Sequence, residues 1–377
     1  MAHSEADVLS TADAVARDVV EKHAVGVDTD GAFPEASIDA IRDAGLMALI
    51  SSPEVGGMGM RPGIASKVIE RFSAACGSTG MVMCMHYCGT AVIEAFGSTD
   101  VRKDIVAGKH LSTLAFSEAS SRSQFWAPTS TAKRSGEGIV LDARKSWITS
   151  AHQAAAYVWS STPVEAEGPS TLWLVPRDAA GLQIAGSFNG LGLRGNDSSP
   201  VIAKGVVVPE THRLGNDGQG FEIMMGTVLP LFSLLNASCS LGLMQNAVAK
   251  TVAHVSGLHF EHTQSALRDM PTIRAYVARM RIQTDMVATL LADTAAAMES
   301  GREDAVLRVL ESKAAAGETA TTVLDTAMRV CGGSAFRKEV GVERSFRDAR
   351  AAGIMAPTTD ALYDFIGKAV TGMDLFA

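Results

Sequence analysis

The chain is short of the features that mark several common protein classes. Only five cysteines occur in 377 residues (Cys76, Cys84, Cys88, Cys239 and Cys331), an odd and sparse set that excludes a disulfide-stapled scaffold. No run of five basic residues is present, and 33 basic against 41 acidic residues leave a net charge of −8. The electrostatic footprint of a nucleic-acid binder is therefore missing. No apolar run reaches the ~18 residues that cross a bilayer, and the opening MAHSEADVLSTADAV lacks the charged-then-apolar layout of a signal peptide. These absences point to a soluble, cytoplasmic protein with neither nucleic acid nor membrane as partner. Hydrophobic residues are 47 %, enough for several cores, and a prior of ~100–200 residues per domain predicts two or three domains.

The pattern changes character twice along the chain. Residues 1–112 read as a helical domain: in ADVLSTADAVARDVVEKHAV the apolar Val8, Ala12, Val15, Val19 and Val20 form one stripe, and Ile64 to Phe96 continues the helical spacing with a break near Gly77. Residues 113–215 hold short runs rich in Val, Ile, Trp, Tyr and Thr, such as GIVLDARKSWITS and STLWLVPR, separated by Gly, Pro and Ser clusters. That spacing predicts a β domain. Residues 216–377 return to long Ala-, Met- and Leu-rich helices over Phe221–Leu258, Met270–Glu299, Asp304–Cys331 and Thr358–Val370.

Several motifs invite chemistry and are better read as structure. Gly190, Gly192 and Gly195 spell G-x-G-x-x-G, but a dinucleotide loop must open a helix and the residues that follow read as a strand. Cys84, His86 and Cys88 lack the second ligand pair of a zinc site and read as buried residues of a Met-rich helix; His86 is either an interior histidine or an acid–base group of a pocket. His254, His259 and His262 around Glu261 fit a solvated, irregular segment. No metal site is expected. In Lys145–Thr149, strand alternation places Trp147 and Thr149 on one face. An aromatic plane beside a hydroxyl either holds a flat heterocycle or belongs to a sandwich core.

Six segments in order resemble the acyl-CoA dehydrogenase superfamily over nearly the whole length: SPEVGGMGM, AFSEASSRS, KSWITS, GLGLRGNDSSPVIAKGVVVPETHRLGNDGQGF, CGGSAF and VERSFRDARAAGI. The resemblance implies an α+β fold with an N-terminal helical domain, a middle β domain and a C-terminal four-helix bundle. It further implies bound FAD, an acyl-CoA or related thioester as substrate, and a homo-oligomer, dimer or tetramer. Carried over by position, the flavin would meet Phe116, Ser117 (family Thr), Ser123 at the pyrophosphate, Trp147 and Thr149 beside its N5 region, Thr358, and Gly332 and Gly333 preceded by Arg329.

The departures lie where the family's chemistry lies. Its α-proton base is a Glu in a Glu-Gly-Thr triplet, here Ala356-Pro357-Thr358. The alternative position upstream of Gly-Leu-Met-Gln (Gly242–Gln245) falls on Phe232, followed by Ser233 where the family has Arg. The resemblance leaves Ala356 with a backbone N–H for the thioester oxygen, an oxyanion-type contact, and a pocket of Phe232, Ser233, Met85 and Ala356. The family's Arg-x-x-Phe-Gly aligns with Phe260, Thr263 and Gln264, while Arg122 and Arg329 supply other cations. Three functions follow: a flavoenzyme doing other chemistry, foremost oxygenation with O2; a dehydrogenase whose base is relocated, to His86 or Asp360; and a non-catalytic subunit of a heteromeric acyl-CoA dehydrogenase.

Overall fold

A computed structural model describes residues 4–121, 124–136 and 138–375. Helices α1 (Glu5–Val15) and α2 (Glu21–Asp30) run as one, joined by a π-helical turn. Ser4 caps the start by accepting from the Asp7 N–H at 3.1 Å. α3 (Glu35–Asp43), α4 (Pro62–Ala75), α5 (Gly77–Phe96) and α6 (Thr99–Val106) complete the first layer. The break between α4 and α5 is Cys76, whose extended backbone turns the chain.

Among the described residues eight strands follow: β1 (Ser112–Ala115), β2 (Thr131–Ser135), β3 (Gly138–Ile148), β4 (Ala156–Ser161), β5 (Thr171–Pro176), β6 (Leu182–Ile184), β7 (Ser199–Val208) and β8 (Arg213–Leu214). They form two sheets, β1-β4-β5-β8 and β2-β3-β7-β6. Tyr157, Trp159, Trp173 and Val175 of the first sheet meet Ile139, Leu141, Val201 and Val206 of the second. The alternate residues of the first sheet (Leu114, Ala156, Val158, Leu172, Leu174) pack into the helical core instead. A sheet covered on both faces needs no polar face, and β4 is buried at every position.

The last layer comprises α7 (Gly220–Ile223), α8 (Leu229–Gly257), a minimal hairpin of β9 (His259–Phe260) and β10 (Ser265–Ala266), α9 (Pro271–Ser300), α10 (Ala305–Cys331), α11 (Val342–Asp348), α12 (Arg350–Ile354) and α13 (Thr359–Val370). α8 packs against α4, α5, α9 and α10, which explains why it is apolar all round. The stretch Gly220–Gly257 is in fact long and apolar enough to cross a membrane, contrary to the expectation from sequence, but it is the buried core helix of the fold. The G-x-G-x-x-G run lies in the turn that leads into β7, a strand as its neighbours suggested. Its glycines serve close packing: a Cβ at Gly192 would lie 2.4 Å from the Arg347 backbone, and one at Gly195 2.5 Å from the Ala32 carbonyl.

Candidate functional site

The end of β1 and the end of β3 are pinned together by a buried ion pair. Lys145 Nζ donates to Glu118 Oε1 at 2.6 Å and to the Ser160 carbonyl at 2.7 Å. The Glu118 carboxylate also accepts from the Thr129 N–H and from Ser130 Oγ. Burial pushes the Glu118 carboxyl up, but the charge and hydrogen bond of Lys145 outweigh it and the net displacement is downward. Burial brings Lys145 down to about 8 against the pull of Glu118. The pair sets Ser117 beside Ser146, whose N–H donates to the Ser117 carbonyl at 2.9 Å.

Beyond that pin the strand breaks its alternation. The β3–β7 register shifts between Lys145 and Ile148, and Trp147 adopts a left-handed φ of 60°. A bulge inserts a residue and so redirects the side chains after it. Trp147 therefore faces outward, 71 % exposed, with its ring edge-on to Phe188 at 6.5 Å. Thr149 is buried, its Oγ1 3.3 Å from Ser198 Oγ and its carbonyl held by Thr113 Oγ1 at 2.8 Å. The reading that these two share a strand face is thus corrected. The bulge nonetheless keeps Ser117, Trp147 and Thr149 at one end of the sheets.

The second half of the site comes from the turn between α12 and α13. Ala356 and Met355 pack on the same apolar cluster as Phe116, Met81, Met85 and Phe232. The peptide between Ala356 and Pro357 is cis, and Thr358 caps α13 by accepting from the Ala361 N–H at 3.4 Å. Among the described residues the Ala356 N–H donates to no protein acceptor, leaving a half-buried donor free.

Other expected residues are placed differently. His86 is fully buried: Nε2 is 3.0 Å from the Met47 carbonyl, and Nδ1 accepts from the Ser112 N–H at 3.0 Å. One neutral tautomer satisfies both, and burial brings the ring down to about 4. It has no nitrogen left for a substrate, which corrects the acid–base assignment. Asp360 stands exposed in the first turn of α13. The Phe116 ring stacks on Phe125 at 6.3 Å inside the core, so its backbone alone is available to a ligand. Ser233 is buried with an unpartnered Oγ. Arg329 lies at the last turn of α10 with its guanidinium 5.4 Å over the Tyr276 ring, and a Cβ on Gly332 or Gly333 would meet nothing within 4 Å. Ser123 and Arg122 lie outside the described residues. The five cysteines are free and buried.

Sequence reading missed Lys313. It is 2 % exposed on α10, and its Nζ donates to the carbonyls of Ala352, Met355 and Pro357. The available signal was a lone cation on an apolar stripe, beside Leu310, Ala314, Ala316 and Gly317.

Comparison with known proteins now bears on this geometry. Three family models match consecutive parts of the chain: the acyl-CoA dehydrogenase N-terminal domain over residues 3–108, the middle domain over 113–206 and the C-terminal domain over 218–371. The mitochondrial short-chain specific acyl-CoA dehydrogenase of Homo sapiens is 31 % identical over 359 residues, covering 91 % of this chain and 85 % of that protein. The chain belongs to the acyl-CoA dehydrogenase family. The acyl-CoA dehydrogenase fold is equally plain in solved structures. A glutaryl-coenzyme A dehydrogenase in complex with glutaryl-CoA superposes with a TM-score of 0.92 at 22 % identity, covering 100 % of this chain and 97 % of that one. An FAD complex of PigA gives 0.88 at 18 %, covering 98 % of each.

Proposed function

We propose that this acyl-CoA dehydrogenase family member is an FAD-dependent oxidoreductase that acts on an acyl-CoA-type thioester by oxygenation. The observation that carries the reading is the Ala356 turn: where the family places its base, this chain offers only a backbone N–H, on a residue packed against the same apolar cluster as Met85, Phe232 and Met355. The residues at the end of the sheets suit a flavin. Trp147 presents an exposed ring, the Ser117 hydroxyl is half-buried, and the backbone at Gly332–Gly333 is open to close approach. FAD, when bound, supplies two-electron exchange and the activation of O2. The protein's own part is to orient the thioester oxygen through the Ala356 N–H and to keep water out with apolar walls. The overall change consumes O2, two electrons from an external reductant and two protons, and yields an oxygenated product and water.

Desaturation, in contrast, needs a positioned base, worth typically 10²–10⁴-fold. The short-chain specific relative is a dehydrogenase by name, which supports that second reading, but both candidates for a relocated base are unsuited: His86 is saturated and Asp360 is on the surface. Assembly into a homodimer or homotetramer would cover Ile282 and Met286 on α9 and Phe336, which is 89 % exposed.

The test mixes the flavin-loaded protein with a panel of acyl-CoA thioesters without oxygen. No bleaching is expected until a reductant is added; on admission of O2 the product should gain one oxygen atom. Prompt bleaching without reductant overturns oxygenation in favour of desaturation. A colourless preparation that cannot be loaded with FAD overturns both and leaves the supporting-subunit role. Light scattering of the same preparation checks the oligomer.

A further inference from the structure

The Ala356 turn is held from one side by a single buried cation. Lys313 Nζ donates to the carbonyls of Ala352 at 3.2 Å, Met355 at 3.0 Å and Pro357 at 2.8 Å, bracketing Ala356 in sequence. The ammonium also lies 5.9 Å from the Phe232 ring centroid, and Asn236 Nδ2 donates to Met355 Sδ at 3.3 Å. We propose that Lys313 is a positioning residue that aims and polarises the Ala356 N–H toward the carbonyl oxygen of a bound thioester.

The peptide group supplies the link. The Met355 C=O and the Ala356 N–H belong to one planar unit and point in opposite directions across it, because that bond is trans. Drawing the carbonyl toward Lys313 turns the N–H away from the lysine, where no acceptor among the described residues meets it. A cation on the carbonyl withdraws electron density from the peptide and makes its N–H a stronger donor, as chained hydrogen bonds do. The same geometry excludes Lys313 as the substitute base. An ammonium nitrogen has four directions; one leads to Cε and three are taken by carbonyls.

The surroundings keep the effect local. The Cys84 thiol of α5 is the group whose charge would bear on Lys313, and burial holds it well above its ordinary range. Among the described residues no carboxylate pairs with Lys313, whose Nζ is taken by three carbonyls. Burial brings Lys313 down to about 7, so the clamp loses its charge across neutral pH.

This inference rests on the thioester reading, and its test separates the two. Butyryl-CoA labelled with ¹³C at the thioester carbonyl is bound to the flavin-loaded protein, and the carbonyl band is followed by difference infrared spectroscopy. The bound band should shift down from its free position. In Lys313→Met it should return toward the free position, with binding about 5- to 10-fold weaker, the effect of one ordinary hydrogen bond. Should that variant fail to fold, the unaltered protein suffices: the downshift should fade as pH rises from 6 to 8.5. A band unchanged in Lys313→Met, or independent of pH, overturns the proposal while thioester binding stands. Failure of the unaltered protein to bind any acyl-CoA overturns the functional reading, and the assignment of Lys313 with it.

Discussion

His86 and Lys313 are both ionisable and both buried, and they differ in what their neighbours leave free. The His86 ring spends both nitrogens on the backbone of Met47 and Ser112, so it ties α5 to the chain on either side and serves no substrate. Its folded-state value near 4 lies below the ordinary 6.5. As pH falls through 6.5 the unfolded chain takes up a proton that the folded ring refuses until about 4, and stability is lost across that window. His110, also brought to about 4 by burial, adds to the same slope. His86→Ala should cost about 2–4 kcal/mol in urea melts at pH 7 by orphaning two backbone groups and opening a cavity. It should flatten part of the acid slope and leave turnover per bound flavin unchanged. Reduced turnover in folded, flavin-loaded His86→Ala would return this histidine to the catalytic list.

Among the elements, α8 and β3 show two ways in which packing overrides a simple periodicity. α8 approaches α4 so closely that a Cβ at Gly242 would lie 2.3 Å from the Glu70 carbonyl oxygen and 2.7 Å from the Ala74 nitrogen. Both obstacles are helix backbone, which cannot swing aside. Gly242→Ala should therefore destabilise the protein by about 1–3 kcal/mol although alanine favours helix; a melting temperature equal to that of the parent would show that the two helices can part freely. β3 departs in the other sense. Its bulge spends regular pairing to turn the Trp147 ring outward, where strand alternation alone would have kept it with Thr149.

For the molecule as a whole, one junction ties together segments far apart in the chain. Arg347 of α11 makes a two-pronged pair with Asp28 of α2 at 2.6 and 2.8 Å and donates to the Leu191 carbonyl at 3.1 Å. Arg194 Nε donates to the Asp28 carbonyl at 2.7 Å. The first layer, the β6–β7 loop of the β domain and the last layer thus meet at one largely buried carboxylate. Asp28→Asn should cost roughly 1–3 kcal/mol, because it removes the two-pronged carboxylate and leaves Arg347 with Glu343 alone, at 2.7 Å, as its anionic partner. Amide exchange in residues 190–195 should accelerate with it. Stability lost without faster exchange there would place the effect within α2 alone.

What the sequence by itself determined is the order of layers and the family, and the expectation that Ala356 stands where the resemblance would place a Glu. The long helices and short strands carry strong periodicities, and the residue type at Ala356 is read without coordinates. The helical limits over Phe221–Leu258 and Asp304–Cys331 were legible to within a few residues because Gly220, Gly257, Gly301 and Gly332 stand at or near their ends. Only the tertiary structure decided that His86 is spent on backbone, that Trp147 turns outward, and that Lys313 reaches the Ala356 turn across 43 residues of chain. Each of these depends on which backbone groups long-range packing leaves unpaired, a quantity that local spacing does not encode.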